Sequence, residues 1–447
     1  MEPLFSAVIC GCNAGLFREA LHEVYIPRIQ RGNANFAADV FGATGPLLSV
    51  LVHFFEHGRW ESPVKATGED QSLTAEDQLF ILMQAGLHLA ATRGLGAPEA
   101  RICYERAESL SHQLGHPFLF CAALVGQWRN TLITDKMSVA LQIAERLHSV
   151  AQEQNDAVLM LEAYRALSCT LFYLGDFEAS RQYAMRSLQI WRSGNVQCHT
   201  EDNYPPGVAC LCYLALSDWQ LGEIASCQAN MEEAISIAKE LKHMKALAMA
   251  LAWAAVLGQC GRNPAEVDRL ASDLIELSTR HNFGYWLAFG AILRGWARSA
   301  SGDTVEGIQW IENGIRDSRA TGSLVTLPYY LGLKAEALYL ADRSFEALEA
   351  IKEAEKVVER SEQRQWCAEL HRLRGVFLTA TGAEKTQIEA SFCEAIRIAK
   401  EQKSISLATR AEATYAEYRR QKVSAVGGRG FRLSLCCCQK GNAQTQV

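Results

Sequence analysis

The strongest constraint on this chain is a period. Between Pro205 and Lys403 five short turn marks recur: Leu221-Gly222-Glu223, Cys260-Gly261-Arg262, Ser301-Gly302-Asp303, Ala341-Asp342-Arg343 and Thr381-Gly382-Ala383. Their central residues stand 39, 41, 40 and 40 residues apart. An amphipathic stretch of about fifteen to eighteen residues flanks each mark on both sides. A unit of this size cannot bury its apolar face alone, whereas stacked neighbours can, so the period predicts a solenoid of helical hairpins. The same beat reaches back to Leu73. Turns at Gly94, Asp135 and Gly175 separate Asp77–Thr92 from Ala97–Gln113, Pro117–Leu132 from Met137–Gln154, and Val158–Leu174 from Phe177–Trp191. One longer step of 47, from Gly175 to Gly222, holds the polar loop Ser193–Gly207, closed by Pro205-Pro206.

The residues around each turn define the kind of hairpin. In Tyr164-Arg165-Ala166-Leu167-Ser168, followed by Leu171 and Leu174-Gly175-Asp176-Phe177, large and small residues alternate as in the tetratricopeptide signature. Small residues then recur seven apart at Ser180 and Ser187. Later units repeat the idea with Ala215, Cys227 and Ala234; Gly295, Gly307 and Gly314; and Ala335, Ala347 and Ala354. A glycine inside a helix costs about 1 kcal/mol relative to alanine. Three at equivalent positions therefore imply close helix contact. HEAT-type repeats share the period but lack the Gly-Asp turn and this spacing. The expected fold is all-α, a right-handed superhelical solenoid of tetratricopeptide-like hairpins with a ~40-residue period.

Composition narrows the function classes. A hydrophobic content of 49% over 447 residues supplies a large core, and a net charge of −6 offers no basic face for nucleic acid. The 15 cysteines are odd in number and show no disulfide-like spacing. Most sit at apolar helical positions, as at Cys121, Cys169, Cys260 and Cys367, where a free thiol packs as a small hydrophobe; a reducing cytoplasm is expected. Met1-Glu2-Pro3 lacks the cationic start of a signal peptide. No window reaches ~18 uncharged apolar residues, so no membrane span is expected.

Four regions follow. Residues 1–60 read as irregular helical hairpins, with Leu4, Val8, Ile9 and Cys12 before Gly15, and Leu21, Val24, Tyr25 and Ile29 after it; Pro27 is expected to end or kink the second helix. Residues 61–72, polar and carrying Pro63 and Gly68, read as a linker. Residues 73–421 form the superhelix, with about eight regular hairpins by the ~40-residue period. Residues 422–447 are basic and contain Cys436-Cys437-Cys438; this tail is expected to be disordered.

Residues 72–416 resemble the tetratricopeptide arm of bacterial signalling ATPases of the STAND class, including forms with an adenylate or guanylate cyclase module. The resemblance is carried by Gln84-Ala85-Gly86-Leu87, Gly94-Leu95-Gly96-Ala97-Pro98-Glu99, Leu161-Glu162-Ala163-Tyr164-Arg165-Ala166-Leu167 and Pro206-Gly207-Val208-Ala209-Cys210-Leu211. It continues through Gly284-Tyr285-Trp286-Leu287-Ala288, Ile292-Leu293-Arg294-Gly295-Trp296-Ala297 and Ala368-Glu369-Leu370-His371-Arg372-Leu373-Arg374-Gly375. Glu23 to Gly32 is similar to a helical segment that precedes the repeats in such ATPases, and the maltose-regulator superhelix is a related architecture. The family's phosphate loop, glycine-rich and ending in Gly-Lys-Ser/Thr, does not occur here. Gly42-Ala43-Thr44-Gly45-Pro46 has no lysine and ends on a proline without an N–H. No cyclase module is present either.

The resemblance thus implies a non-catalytic scaffold or sensor arm that binds a protein or peptide in its concave groove, without cofactor or metal. Two alternatives stand beside it. One is a regulatory fragment of an ATPase or adenylate cyclase whose catalytic part is encoded separately or lost; the other is a small-molecule-sensing superhelix of a transcriptional regulator.

Other constellations read as ordinary structure. Cys198, His199, Glu201 and Asp202 are neighbours on one loop and point apart, unlike paired metal ligands. Cys10/Cys12 and Cys210/Cys212 are two apart on helices, so their side chains diverge. No Gly-x-Ser-x-Gly elbow occurs. Large aromatics fall on successive first helices, which in such solenoids line the concave face. Among them Tyr285, Trp286 and Tyr329 are the groove candidates, with Arg294 and Arg298 nearby and Glu336 and Glu369 as polar partners. On this reading, alanine at Tyr285 and Trp286 lowers partner affinity and leaves the melting temperature nearly unchanged; a large loss of stability marks them as core.

Overall fold

The computed structural model describes residues 1–32, 36–37, 43–64, 72–94, 96–194, 204–424, 433 and 435. Eight hairpins follow one another among these residues. They are Ala75–Arg93 with Pro98–Leu114, Pro117–Thr134 with Met137–Gln154, Ala157–Leu174 with Phe177–Arg192, and Pro206–Gln220 with Ile224–Glu240. Then come Met244–Cys260 with Pro264–His281, Gly284–Ala300 with Thr304–Ala320, Leu327–Leu340 with Ser344–Ser361, and Cys367–Ala380 with Lys385–Glu401. A last helix, Ile405–Ser424, stands where a ninth first helix would. We number the hairpins one to eight; they stack into the right-handed superhelix of tetratricopeptide-like units expected from the period.

The Gly-Asp-aromatic turn works as its residue types require. Gly175, at φ +83°, ends the first helix of hairpin three in the left-handed region. Asp176 caps the second helix by accepting from the Ala179 N–H at 3.1 Å, and Phe177 is buried. Left-handed residues inside later hairpins are Gly222, Arg262, Gly302, Asp342 and Gly382, each forty after the last. The apparent slip of the sequence pattern in hairpin five disappears, because Arg262 and not Gly261 takes the left-handed position. A second series marks the joints between hairpins: Gly115 and Asn155, then Lys242, Asn282, Gly322, Glu362 and Lys403.

Small residues bring the two helices of hairpin six close. A methyl group at Gly295 would lie 2.6 Å from the Gly307 carbonyl oxygen, and one at Gly314 would lie 2.6 Å from Ile292 Cγ1. The helix Ala157–Leu174 has the length and mean hydropathy (1.3) of a membrane span, but 67% of it is buried inside the solenoid. Its apolar residues are the core of hairpin three and its neighbours, and it carries the buried Glu162 and Arg165.

The N-terminal elements are Glu2–Asn13, Phe17–Glu19, a π-helical segment Ala20–Gln30, and Thr44–Leu51. Pro27 does not end its helix. The wider π-helical winding carries the chain through it, and the left-handed Arg31 stops the helix instead. These elements share an apolar core with hairpin one, where Tyr25, Phe54 and Trp60 join Leu79, Leu82 and Tyr104. Two polar contacts tie them to its first helix: His22 Nε2 to Asp77 at 2.8 Å and Gln30 Nε2 to Gln84 Oε1 at 2.8 Å. Most of the expected linker (65–71), the ligand-rich part of the long loop (195–203) and Cys436–Cys438 lie outside the described residues.

The coil is tight enough for successive turns to touch. Leu324 N–H donates to the Ile133 carbonyl at 2.8 Å and Arg364 N–H to the Tyr173 carbonyl at 2.7 Å. Ser404 Oγ meets Gln220 Oε1 at 2.6 Å, Ser138 N–H donates to Glu362 Oε2 at 3.0 Å, and Lys403 pairs with Glu178. Each joint after hairpins six, seven and eight therefore rests on a turn inside hairpins two, three and four.

Substitutions at glycine separate packing from propensity. Gly307→Ala sets a methyl 2.5 Å from the Gly295 carbonyl oxygen. Overpacking against backbone, about 1–3 kcal/mol, should exceed the helix gain of about 1 kcal/mol and lower the urea midpoint. Gly284→Ala meets nothing within 4 Å and should leave the midpoint unchanged or raise it.

Candidate binding surfaces of the superhelix

The inner faces of the first helices form two different surfaces. Along hairpins three to seven the first helices pack ring against ring. A ladder of rings runs from Tyr173 to Tyr213 (6.2 Å between centroids), Trp253 (6.1 Å), Phe289 (5.5 Å) and Tyr330 (5.1 Å). All five residues are buried.

Beyond the ladder lies a cluster of charges. Glu369 accepts two bonds from Arg372, at 2.9 and 2.8 Å, and one each from Arg262 at 3.1 Å and Arg410 at 3.2 Å. Arg262 also pairs with Glu336, which accepts from Trp296 Nε1 at 3.0 Å. Arg410 donates to the Cys260 carbonyl at 2.6 Å and lies over Trp219 at 5.4 Å. Stacked Tyr329 and Trp366, 5.1 Å apart, border the cluster, and Tyr329 Oη bonds to Gln259 at 3.1 Å. The remaining space is about 20 Å³, room for one water. Burial by itself would raise the Glu369 pKa; the guanidiniums of Arg372, Arg410 and Arg262 overcome it and hold the carboxyl well below the usual carboxylate range.

The seven residues picked out in the sequence divide among three places. Tyr329, Glu336 and Glu369 come together in the cluster, at 5%, 2% and 9% exposure. Tyr285 and Trp286 sit elsewhere on the inner face, with rings 4.9 Å apart; Trp286 is 5% exposed and donates to Tyr204 Oη at 3.1 Å. Arg294 and Arg298 face the second helices, where Arg294 lies near Asp268 (3.5 Å) and over Trp310, and Arg298 bonds to Glu306 at 2.7 Å. The sequence expectation is an open groove at these positions; in the structure Trp286, Tyr329, Glu336 and Glu369 are buried, while Tyr285, Arg294 and Arg298 are half-buried. Trp286→Ala accordingly removes packed core. Arg262, Arg372 and Arg410 complete the cluster without a helical-pattern signal. Arg262 alone is marked in the sequence, as an arginine at the left-handed turn position where hairpins four, six and eight carry glycine.

Open space lies in more than one place. One cleft of about 950 Å³ is lined by hairpins four and five and the last helix, with Ile224, Met231, Leu257, Arg262 and Arg410 on its walls. A groove of about 600 Å³ runs across the first helices of hairpins one to three. Leu79, Phe80, Met83, Leu119 and Val125 make its apolar wall; Glu76, Arg129 and Glu162 add charge. Glu162 is buried and held by Arg165 at 2.5 and 2.8 Å, while Arg165 lies over Trp128 at 5.1 Å. Trp128 Nε1 in turn bonds to Thr170 at 2.9 Å, so the floor of the groove is rigidly built.

Burial pushes the thiols of Cys121 and Cys169 up to about 12, which keeps them protonated and inert. Cys210 and Cys212 diverge as expected, yet both are buried, because their helix is enclosed on every side. Among the described residues no group of three or more His, Cys, Asp or Glu is placed to hold a metal ion.

No protein-family model matches the chain. An uncharacterized protein of Rhizobium meliloti (strain 1021) is 24% identical over 352 residues. The match covers 78% of this chain and 34% of that relative, so the chain spans about a third of its length. Among solved structures, a Rap protein complexed with Competence and Sporulation Factor superposes with a TM-score of 0.50 at 10% identity, over 78% of this chain and 99% of that one. A STAND-class signal transduction ATPase with a tetratricopeptide repeat sensor, from Pyrococcus horikoshii, superposes with a TM-score of 0.38 at 16% identity, over 85% and 60%. The Rap likeness is one of fold: a solenoid of helical hairpins.

Neutralising Glu369 tests the cluster. Glu369→Gln leaves three buried guanidiniums facing one carboxylate and should cost about 3–5 kcal/mol in chemical denaturation. The sign with pH follows from a depressed folded pKa. Its contribution is fully present above the unfolded value near 4.5 and is lost as pH falls toward the folded one. Melting temperature should therefore fall more steeply from pH 5 to pH 3 in the wild type than in Glu369→Gln.

Proposed function

We propose that this chain is a non-catalytic, cytoplasmic interaction arm that holds a segment of a protein partner in the groove of hairpins one to three. The supporting observation is the contrast inside the superhelix, where hairpins one to three keep an apolar-walled groove of about 600 Å³ while the later first helices pack against one another. A groove of that volume, with few charges at fixed places, suits an apolar face presented by a helix or extended segment. In the Rap structure a solenoid of this fold is complexed with Competence and Sporulation Factor, so a solenoid of this kind can hold a partner. The regions of the protein divide, on this reading, into an N-terminal helical unit, a linker, the superhelix and a tail.

The arm belongs, on the same proposal, to a bacterial signalling ATPase or cyclase system. The repeat residues resemble those of STAND-class arms, and the Rhizobium meliloti relative is much longer than the matched stretch, leaving room there for other modules. The purified chain should show no ATP turnover; measurable hydrolysis overturns the non-catalytic reading.

Filling the groove tests its role. Peptides selected from a random display library against the purified chain should lose at least tenfold in affinity for Ala122→Trp, which projects a large ring into the groove. Its melting temperature should remain near that of the wild type, since Ala122 is only half-buried. Selected peptides whose affinity is unchanged by the substitution place the binding surface elsewhere.

A further inference from the structure

The contacts between superhelical turns follow a register, and that register has one seat more than it has occupants. The backbone carbonyl two residues before the turn position of a hairpin receives a donor from a joint on the next superhelical turn. Ile133, before Asp135, accepts from the Leu324 N–H at 2.8 Å, and Tyr173, before Gly175, accepts from the Arg364 N–H at 2.7 Å. Gln220, before Gly222, accepts from Ser404 Oγ at 3.3 Å. The donors Leu324, Arg364 and Ser404 are forty residues apart. In hairpin five the equivalent carbonyl is that of Cys260, two residues before the left-handed Arg262. Among the described residues no joint follows the last helix to reach it, and the cleft of about 950 Å³ opens at this place.

The chemistry of this seat differs from that of the three before it. Arg410 Nη2 already holds the Cys260 carbonyl, at 2.6 Å. The seat therefore offers guanidinium where the others offer a carbonyl oxygen. The buried cluster sets three guanidiniums, of Arg262, Arg372 and Arg410, against the two carboxylates of Glu336 and Glu369. Arg262 and Arg410 line the cleft; Glu336 and Glu369 line the cavity of about 20 Å³ behind it instead. On the rim Glu266 is paired with Arg269 at 2.6 Å, and Glu232 is exposed to solvent. The walls are apolar, and two of their residues, Ile224 and Ile405, are 38% and 59% exposed. We propose that the cleft is a docking site for an acidic peptide segment of a protein partner. The segment lies where a joint lies on the earlier seats, with an aspartate or glutamate against Arg262 and Arg410 and apolar neighbours over Ile224 and Ile405. Uncompensated guanidinium charge at the floor favours an incoming carboxylate and opposes an incoming cation, which sets the sign of the partner. The site is separate from the groove of hairpins one to three, and either can bind while the other is blocked.

The test uses the full chain carrying Ala122→Trp, which fills the groove of hairpins one to three, as bait for a random peptide display library. Selected peptides should be richer in aspartate and glutamate than the library. They should lose at least about tenfold in affinity when Thr409→Trp is added to the bait, and also when Thr409→Glu is added, by repulsion. Thr409 is exposed where the last helix borders the cleft, so both variants should melt near the temperature of the bait. Replacing the acidic residue of a selected peptide by its amide should likewise cost at least about tenfold. Peptides indifferent to the Thr409 variants or to the amide replacement, or no selected peptide at all, overturn the proposal. Self-association of the wild-type chain that Thr409→Trp abolishes gives the cleft to a second copy and also overturns it. If Ala122→Trp does not fold, the wild-type chain serves as bait, and the Thr409 variants still assign each peptide to one site or the other.

Discussion

Charges buried on the inner face of a solenoid must neutralise one another, and that requirement governs the shape of this one. Arg262, Glu336, Glu369, Arg372 and Arg410 come from hairpins five, seven and eight and from the last helix. Each would be costly to bury alone, and they meet only if successive first helices converge. Convergence is permitted by small residues at the contact between helices, as at Gly295 and Gly307, where backbone nearly touches backbone. It is then locked by the contacts between superhelical turns, where the joints after hairpins six to eight rest on turns inside hairpins two to four.

The same curvature divides the interior. Where successive first helices pack side by side, aromatic rings fill the space between them; the ladder from Tyr173 to Tyr330 is the result. At hairpins one to three the inner face keeps a groove, with the Glu162–Arg165 pair set into its floor. A binding surface of this kind is defined less by which residues are aromatic than by which aromatic residues lack an opposite neighbour.

Much of the fold was legible because its signals are local. Gly175-Asp176-Phe177 announces a helix end, a cap and a buried anchor within three residues, and the helix limits follow the turn marks closely. The joints between hairpins were harder to read. Lys242, Glu362 and Lys403 adopt a left-handed backbone that their residue type does not advertise, whereas Asn155 and Gly322 do. Pro27 misled for a related reason: a proline normally interrupts the helical ladder, but a π-helical stretch absorbs it.

The sequence by itself determined the period, the all-helical class, the small-residue contacts and the core role of most described cysteines, Cys10 being exposed against expectation, since each depends on spacing within one or two hairpins. Only the tertiary structure decided that Trp286, Tyr329, Glu336 and Glu369 are enclosed, that Arg294 and Arg298 face the second helices, and that Leu433 and Leu435 are covered. The physical reason is one of distance along the chain. A small rotation per repeat accumulates over four or five hairpins before first helices meet, and no local pattern of residues records that sum.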